Sequence, residues 1–119
     1  AAHYIAEGHQ VTATGRSVGA AMTLDVTQPA DHAEMAAALK NQPIDLLVCN
    51  AGVFLDKGED LETGYAPDLW SQSFATNVAG VFLTIQSLLP LFRAAAAPKT
   101  VTSPKDGASS LARANRAAV

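Results

Sequence analysis

The run Asp45-Leu-Leu-Val-Cys-Asn-Ala-Gly52 follows Pro43 and Ile44, and from Ile44 to Cys49 it is nearly all apolar. Such a segment is expected of a central strand in a parallel sheet, covered by helices on both faces. It closes on Asn50, Ala51 and Gly52, small residues that let a second backbone or a ligand approach closely. Upstream of it, helix and strand signals alternate, which is the pattern of a parallel sheet packed between helices. Ala1 to Glu7 is the tail of a helix that stops at Gly8. Val11 to Thr14, β-branched apart from one Ala, is a short buried strand ending at Gly15, and Ala21 to Val26 is a second. Thr27 can cap the next helix, which has Pro29 in its first turn, Asp31 and Glu34 near its positive end, Lys40 near its negative end and Met35 and Leu39 on its buried side.

Downstream, Val53 to Thr63 carries Asp56, Lys57, Glu59, Asp60 and Glu62, too many charges to bury unpaired, and is expected to be a mobile surface loop. Trp70, Phe74, Val78, Val81, Ile85, Leu88 and Phe92 then step by three or four, which predicts a long amphipathic helix over Pro67 to Phe92 whose stripe needs a sheet or a partner. Pro90 should kink it or end it early. Thr100 to Ser103 reads as a last strand and Ala108 to Val119 as a helix-compatible tail.

Composition narrows the function classes. With 119 residues, 49% hydrophobic and 16% charged, the chain suits one compact domain and not a disordered segment. Eight basic against eleven acidic residues, with no basic stripe, disfavour nucleic acid as a partner. The most apolar stretch, Val78 to Phe92, is interrupted by Thr84, Gln86 and Ser87 and falls short of the roughly 20 residues of a membrane span, so no membrane segment is expected. No secretory signal is visible. Cys49 is the single cysteine, which suits a cytoplasmic setting; it is expected as a small buried filler. His3, His9 and His32 have no metal-ligand spacing and are expected at the surface, so no metal site is read.

Four segments in order, Val11-Thr-Ala-Thr-Gly-Arg-Ser17, Leu24-Asp-Val26, Asp45-Leu-Leu-Val-Cys-Asn-Ala-Gly52 and Phe74-Ala-Thr-Asn-Val78, resemble the short-chain dehydrogenase/reductase family. The resemblance implies an α/β fold with a doubly wound, Rossmann-like parallel sheet, residues 1–119 forming a single, partial dinucleotide-binding domain. Arg16 falls at the end of the family's second strand, where an arginine can pair with a 2′-phosphate and an acid would select the free ribose hydroxyl. That favours NADP, with NAD possible; the plain alternative is a solvated loop arginine. Asp25, with Val26 beside it, resembles the residues near the adenine ring, where a carboxylate accepts from the exocyclic amine; a helix-capping acid is the competing reading. Asn50, Ala51 and Gly52 resemble the family's Asn-Asn-Ala-Gly, with Cys49 in place of the first Asn, and would lie against the cofactor. Asn77 sits on the apolar arc of the long helix, where a buried amide must find partners. The matching family residue perturbs the helix and holds a water in a proton relay.

The catalytic segment departs from the family. Ser103 stands for the family's serine, or Pro104 takes its place; Ala112 stands where a Tyr is usual and Arg116 where a Lys is usual, after a shortened gap. The first strand and its Gly-rich phosphate loop have no counterpart, so the sheet is expected to lack its middle. Ser17 to Gly19 is also too short for a crossover helix. Segments missing from this sequence explain both gaps better than a decayed relative does. The implied function is an NADP-dependent oxidoreductase acting on a carbonyl or alcohol substrate, poorly active without the Tyr and Lys, and at least a homodimer through the helix of Pro67 to Phe92. The alternative is a noncatalytic Rossmann module that binds a nucleotide or a partner protein. A flavodoxin-like domain is disfavoured because no phosphate-binding loop opens the chain.

Overall fold

The computed structural model describes residues 1–17 and 19–97. The strand expected at Thr100 to Ser103 and the helix expected at Ala108 to Val119 lie outside them. The chain opens with α1 (Ala2–Ala6). Gly8 takes φ of +86°, and the Gly8 and His9 amides each donate to a helix carbonyl at 3.0 Å, so the glycine ends the helix as expected. Next come β1 (Thr14–Gly15) and β2 (Met22–Thr23), a parallel pair with Thr14 opposite Met22 and Gly15 opposite Thr23. Both are shorter than the runs Val11 to Thr14 and Ala21 to Val26. Residues 16–21 join them without a helix, where a parallel connection ordinarily takes about a dozen residues, and only two rungs form.

Helix α2 (Pro29–Ala38) has Pro29 and Asp31 in its first turn, as expected. Thr27 does not cap it: Gln28 is the N-cap residue, and the Thr27 hydroxyl donates instead to Asp25 Oδ1 at 2.7 Å. Lys40 falls beyond the helix end at Leu39. Met35 and Leu39 are buried with Leu24 and Leu88 to form the core, flanked by Met22, Val26, Ile44, Leu47, Leu91 and Phe92. His32 is buried on the same side, only 4% exposed, which corrects its assignment to the surface; His3 and His9 are exposed.

Ile44 to Cys49 is not a covered central strand. It joins no ladder among the described residues; Ile44 and Leu47 rest half-buried on the core, while Leu46 is 44% and Val48 65% exposed. Among the described residues its amides find no ladder partner, and Cys49 is exposed.

Residues 53–66 form neither helix nor strand, in keeping with their charge. The long helix is continuous over Pro67–Ala96 and is built in three parts: α3 (Pro67–Phe74), a π-helical turn (Ala75–Ala79) and α4 (Gly80–Ala96). Pro90 does not end it, because Leu88 on one side and Leu91 and Phe92 on the other pack into the core. The buried line on α4 is Gly80, Thr84 and Leu88, which shares only Leu88 with the stripe counted at 3.6 residues per turn, while Phe92 of that stripe packs half-buried against the core. The π turn takes up more residues per turn, so the phase beyond it shifts. Trp70, Phe74, Val78, Phe82, Ile85 and Leu89 then align in one exposed apolar row. At 30 residues, with a mean hydropathy of 1.5 in its most apolar window, the helix is long and apolar enough to cross a membrane, which the interrupted run Val78 to Phe92 did not indicate.

Gly80 decides how closely α4 approaches the sheet. A Cβ built there would lie 2.7 Å from Val26 Cγ2 and 3.0 Å from the Val26 carbonyl oxygen, so the contact is backbone against side chain.

Candidate functional site

A groove of about 1770 Å³ runs between the β1–β2 side and the segment before α3, and Arg16, Asp25, Val26, Asn50, Ala51 and Gly52 all line it. Ligand pockets occupy roughly 300–1,000 Å³. At about 1770 Å³ this groove exceeds that range.

At one end, β1 delivers Arg16 to the surface, exposed and close enough to Asp25 for its charge to be felt there. The Asp25 carboxylate accepts from the Thr27 hydroxyl at 2.7 Å and from the Thr27 amide at 2.9 Å. Those two bonds hold its pKa below the ordinary carboxylate value, aided by the positive charge of Arg16 and opposed by slight desolvation. The group is thus an ionised acceptor at neutral pH. The Asp25 amide donates in turn to Asp31 Oδ2 at 2.8 Å, which ties the turn to the start of α2. This tight local turn answers the competing helix-cap reading: Asp25 organises Thr27 rather than the helix N-terminus.

At the other end, Asn50, Ala51 and Gly52 are exposed to the groove. Asn77, at the centre of the π turn, reaches across to them. Its Oδ1 accepts from the Val53 amide and its Nδ2 donates to the Val53 carbonyl, both at 2.8 Å. The side chain replaces the two ladder bonds a neighbouring strand would make, and a Cβ on Gly52 would touch Asn77 Oδ1 at 3.4 Å. Asn77 is exposed, not buried as its place in the apolar pattern suggested, because the π turn rotates it toward the loop. The expectation that its amide finds partners holds. Cys49, exposed beside this end, has its thiol pKa raised by partial desolvation.

Two polar residues that the sequence pattern did not single out lie behind the groove. His32 Nε2 is 3.1 Å from Thr84 Oγ1, and Thr84 lines the groove wall. The only available signal was the position of His32 one turn before Met35 on the buried side of α2. Ser103, Ala112 and Arg116 lie outside the described residues. Among the described residues no group of three His, Cys, Asp or Glu side chains is placed to hold a metal ion. The groove offers an exposed cation and an ionised acceptor beside small residues at the carboxyl end of an apolar segment.

The family model of the short chain dehydrogenases matches residues 2–102. The crystal structure of serine dehydrogenase from Escherichia coli is similar, with a TM-score of 0.63 and 31% identity over 75% of this chain and 47% of that one. The chain thus spans about half the length of that structure. Among curated proteins there is no match. The family match covers every groove residue named above and stops one residue before Ser103.

Proposed function

Because the chain belongs to the short-chain dehydrogenase family and has its Rossmann-type α/β fold, we propose that it serves an NADP-dependent oxidoreductase acting on a carbonyl or alcohol carbon. The family binds NAD or NADP, and the bound nicotinamide supplies or accepts the hydride. The observation that carries the reading is that one groove is lined by Arg16 and Asp25 together with Asn50, Ala51 and Gly52. The Arg16 guanidinium is free to pair with a 2′-phosphate. Asp25 is held ionised to accept from the adenine amine, with Val26 packed behind it on Gly80. Ala51 and Gly52 admit the cofactor backbone, and Asn77 fixes the height of that loop through Val53. Ser103 would bind the substrate oxygen. A cytoplasmic setting, supported by the single cysteine, completes the reading.

Titration calorimetry should show NADP binding more tightly than NAD. A charge-assisted contact of about 1.5–3 kcal/mol corresponds to a preference of roughly 10- to 100-fold. Arg16→Ala should abolish the preference and leave NAD affinity nearly unchanged. Equal affinities for the two cofactors in the parent protein would overturn the assignment.

We also propose a homodimer. Trp70, Phe74, Val78, Phe82, Ile85 and Leu89 present a continuous apolar row that the core of this chain does not cover. Sedimentation at micromolar concentration should give a dimer or larger, and Phe82→Asp with Ile85→Asp should dissociate it. A monomeric parent protein contradicts the proposal.

A further inference from the structure

The two ends of the groove belong to different parts of the fold. Asp25 and its turn lead into α2, whereas the segment Asn50 to Gly52 is followed by Val53, which Asn77 holds from the helix that continues into α4. One buried polar link joins these parts. His32 Nδ1 lies 3.0 Å from the Gln28 carbonyl oxygen at the foot of the Asp25 turn, and the Gln28 amide donates to the Asp25 carbonyl at 2.9 Å. His32 Nε2 lies 3.1 Å from Thr84 Oγ1 on α4. The Thr84 hydroxyl donates at 2.8 Å to the carbonyl of Gly80, the residue directly after the π turn that carries Asn77. His32 and Thr84 are 4% and 5% exposed, and no buried side-chain polar atom among the described residues lacks a partner.

A hydroxyl has one proton, and Thr84 gives it to the Gly80 carbonyl, so toward His32 Nε2 the Thr84 oxygen is an acceptor; the Gln28 carbonyl facing Nδ1 likewise only accepts. A rigid imidazole spanning both contacts sets the distance between α2 and α4 more tightly than apolar packing alone, because each bond has a narrow range of length and angle.

We propose that His32, bridging Gln28 and Thr84, is a positioning residue that fixes the spacing between the Arg16–Asp25 part and the Asn50–Gly52 part of the groove. The inference rests on the cofactor reading above. A dinucleotide engages both ends at once, so its affinity depends on their spacing, whereas a ligand of one end does not sense it.

The test compares two probes on the full protein by calorimetry: NADP, which spans the groove, and adenosine 2′,5′-bisphosphate, which reaches only the Arg16–Asp25 end. In Thr84→Val, which keeps the shape and removes the hydroxyl, NADP affinity should fall by about tenfold while the bisphosphate affinity changes by less than about twofold. His32→Ala should do the same, and Thr84→Ser, which restores the hydroxyl, should recover NADP binding. Equal losses for both probes, or no loss for NADP, overturn the positioning role while the cofactor reading stands. A parent protein that binds neither probe overturns the cofactor reading, and this inference with it.

Discussion

Carbonyl reduction by the polypeptide is expected to be negligible, and Ala112→Tyr combined with Arg116→Lys is expected to raise it by a factor on the order of 10² to 10⁴. A methyl side chain has no proton to give or take, so an alanine in the family's Tyr position removes general acid/base assistance entirely. Arg116 keeps the positive charge of the usual Lys, but it stays protonated and offers a planar fork in place of a compact ammonium. It cannot take part in a proton relay that needs a group able to release its proton. Consumption of NADPH over a panel of aldehydes and ketones measures both variants. The family match ends at residue 102, so the placement of Ser103, Ala112 and Arg116 rests on their order in the sequence alone. Brisk turnover by the unmodified protein would show that the catalytic Tyr and Lys are elsewhere. A parent protein that binds NADP without turnover, and a double variant that stays silent, would favour the noncatalytic nucleotide-binding module.

Gly80→Ala should destabilise the fold even though alanine is the better helix former. The propensity gain is about 1 kcal/mol. Against it stands a methyl group placed 2.7 Å from Val26 Cγ2, 2.9 Å from its Cβ and 3.0 Å from its carbonyl oxygen. The backbone carbonyl cannot rotate away as a side chain can, and overpacking of this kind costs roughly 1–3 kcal/mol, with backbone shifts at the upper end. Packing outweighs propensity, with a net loss of about 1–2 kcal/mol, and Gly80→Val should lose more. Denaturant unfolding should show a lower midpoint with an unchanged slope. A midpoint that rises in Gly80→Ala would mean that α4 stands further from Val26 than described.

The order of elements was legible because it depends on local chemistry: Gly8 ends α1, Pro29 starts α2, and apolar spacing marks the long helix. The family could be read from four short motifs for the same reason. What depended on neighbours was not legible. Ile44 to Cys49 has a strand's composition, yet a strand exists only when another one pairs with it, and Cys49 is exposed. His32 was misassigned because a lone polar residue on an apolar face is buried only if a distant residue, here Thr84, can satisfy it. Within the site, Arg16, Asp25 and Asn50 to Gly52 line one groove, whereas the exposure of Asn77 depended on a helix irregularity that a fixed 3.6-residue period does not contain.

That irregularity also bears on how this chain is to be aligned with others. The turn over Ala75–Ala79 makes Pro67–Ala96 a single rod carrying two registers, one that ends at Phe74 and one that begins at Gly80. A relative whose helix is α-helical throughout can match α3 or α4 without a gap, but not both. The one-residue offset belongs between Phe74 and Gly80, around Asn77. An ungapped alignment would equate the wrong residues along α4, pairing the partners of Thr84 and Leu88 with positions that face solvent, and would score as divergence what is a displacement of one residue.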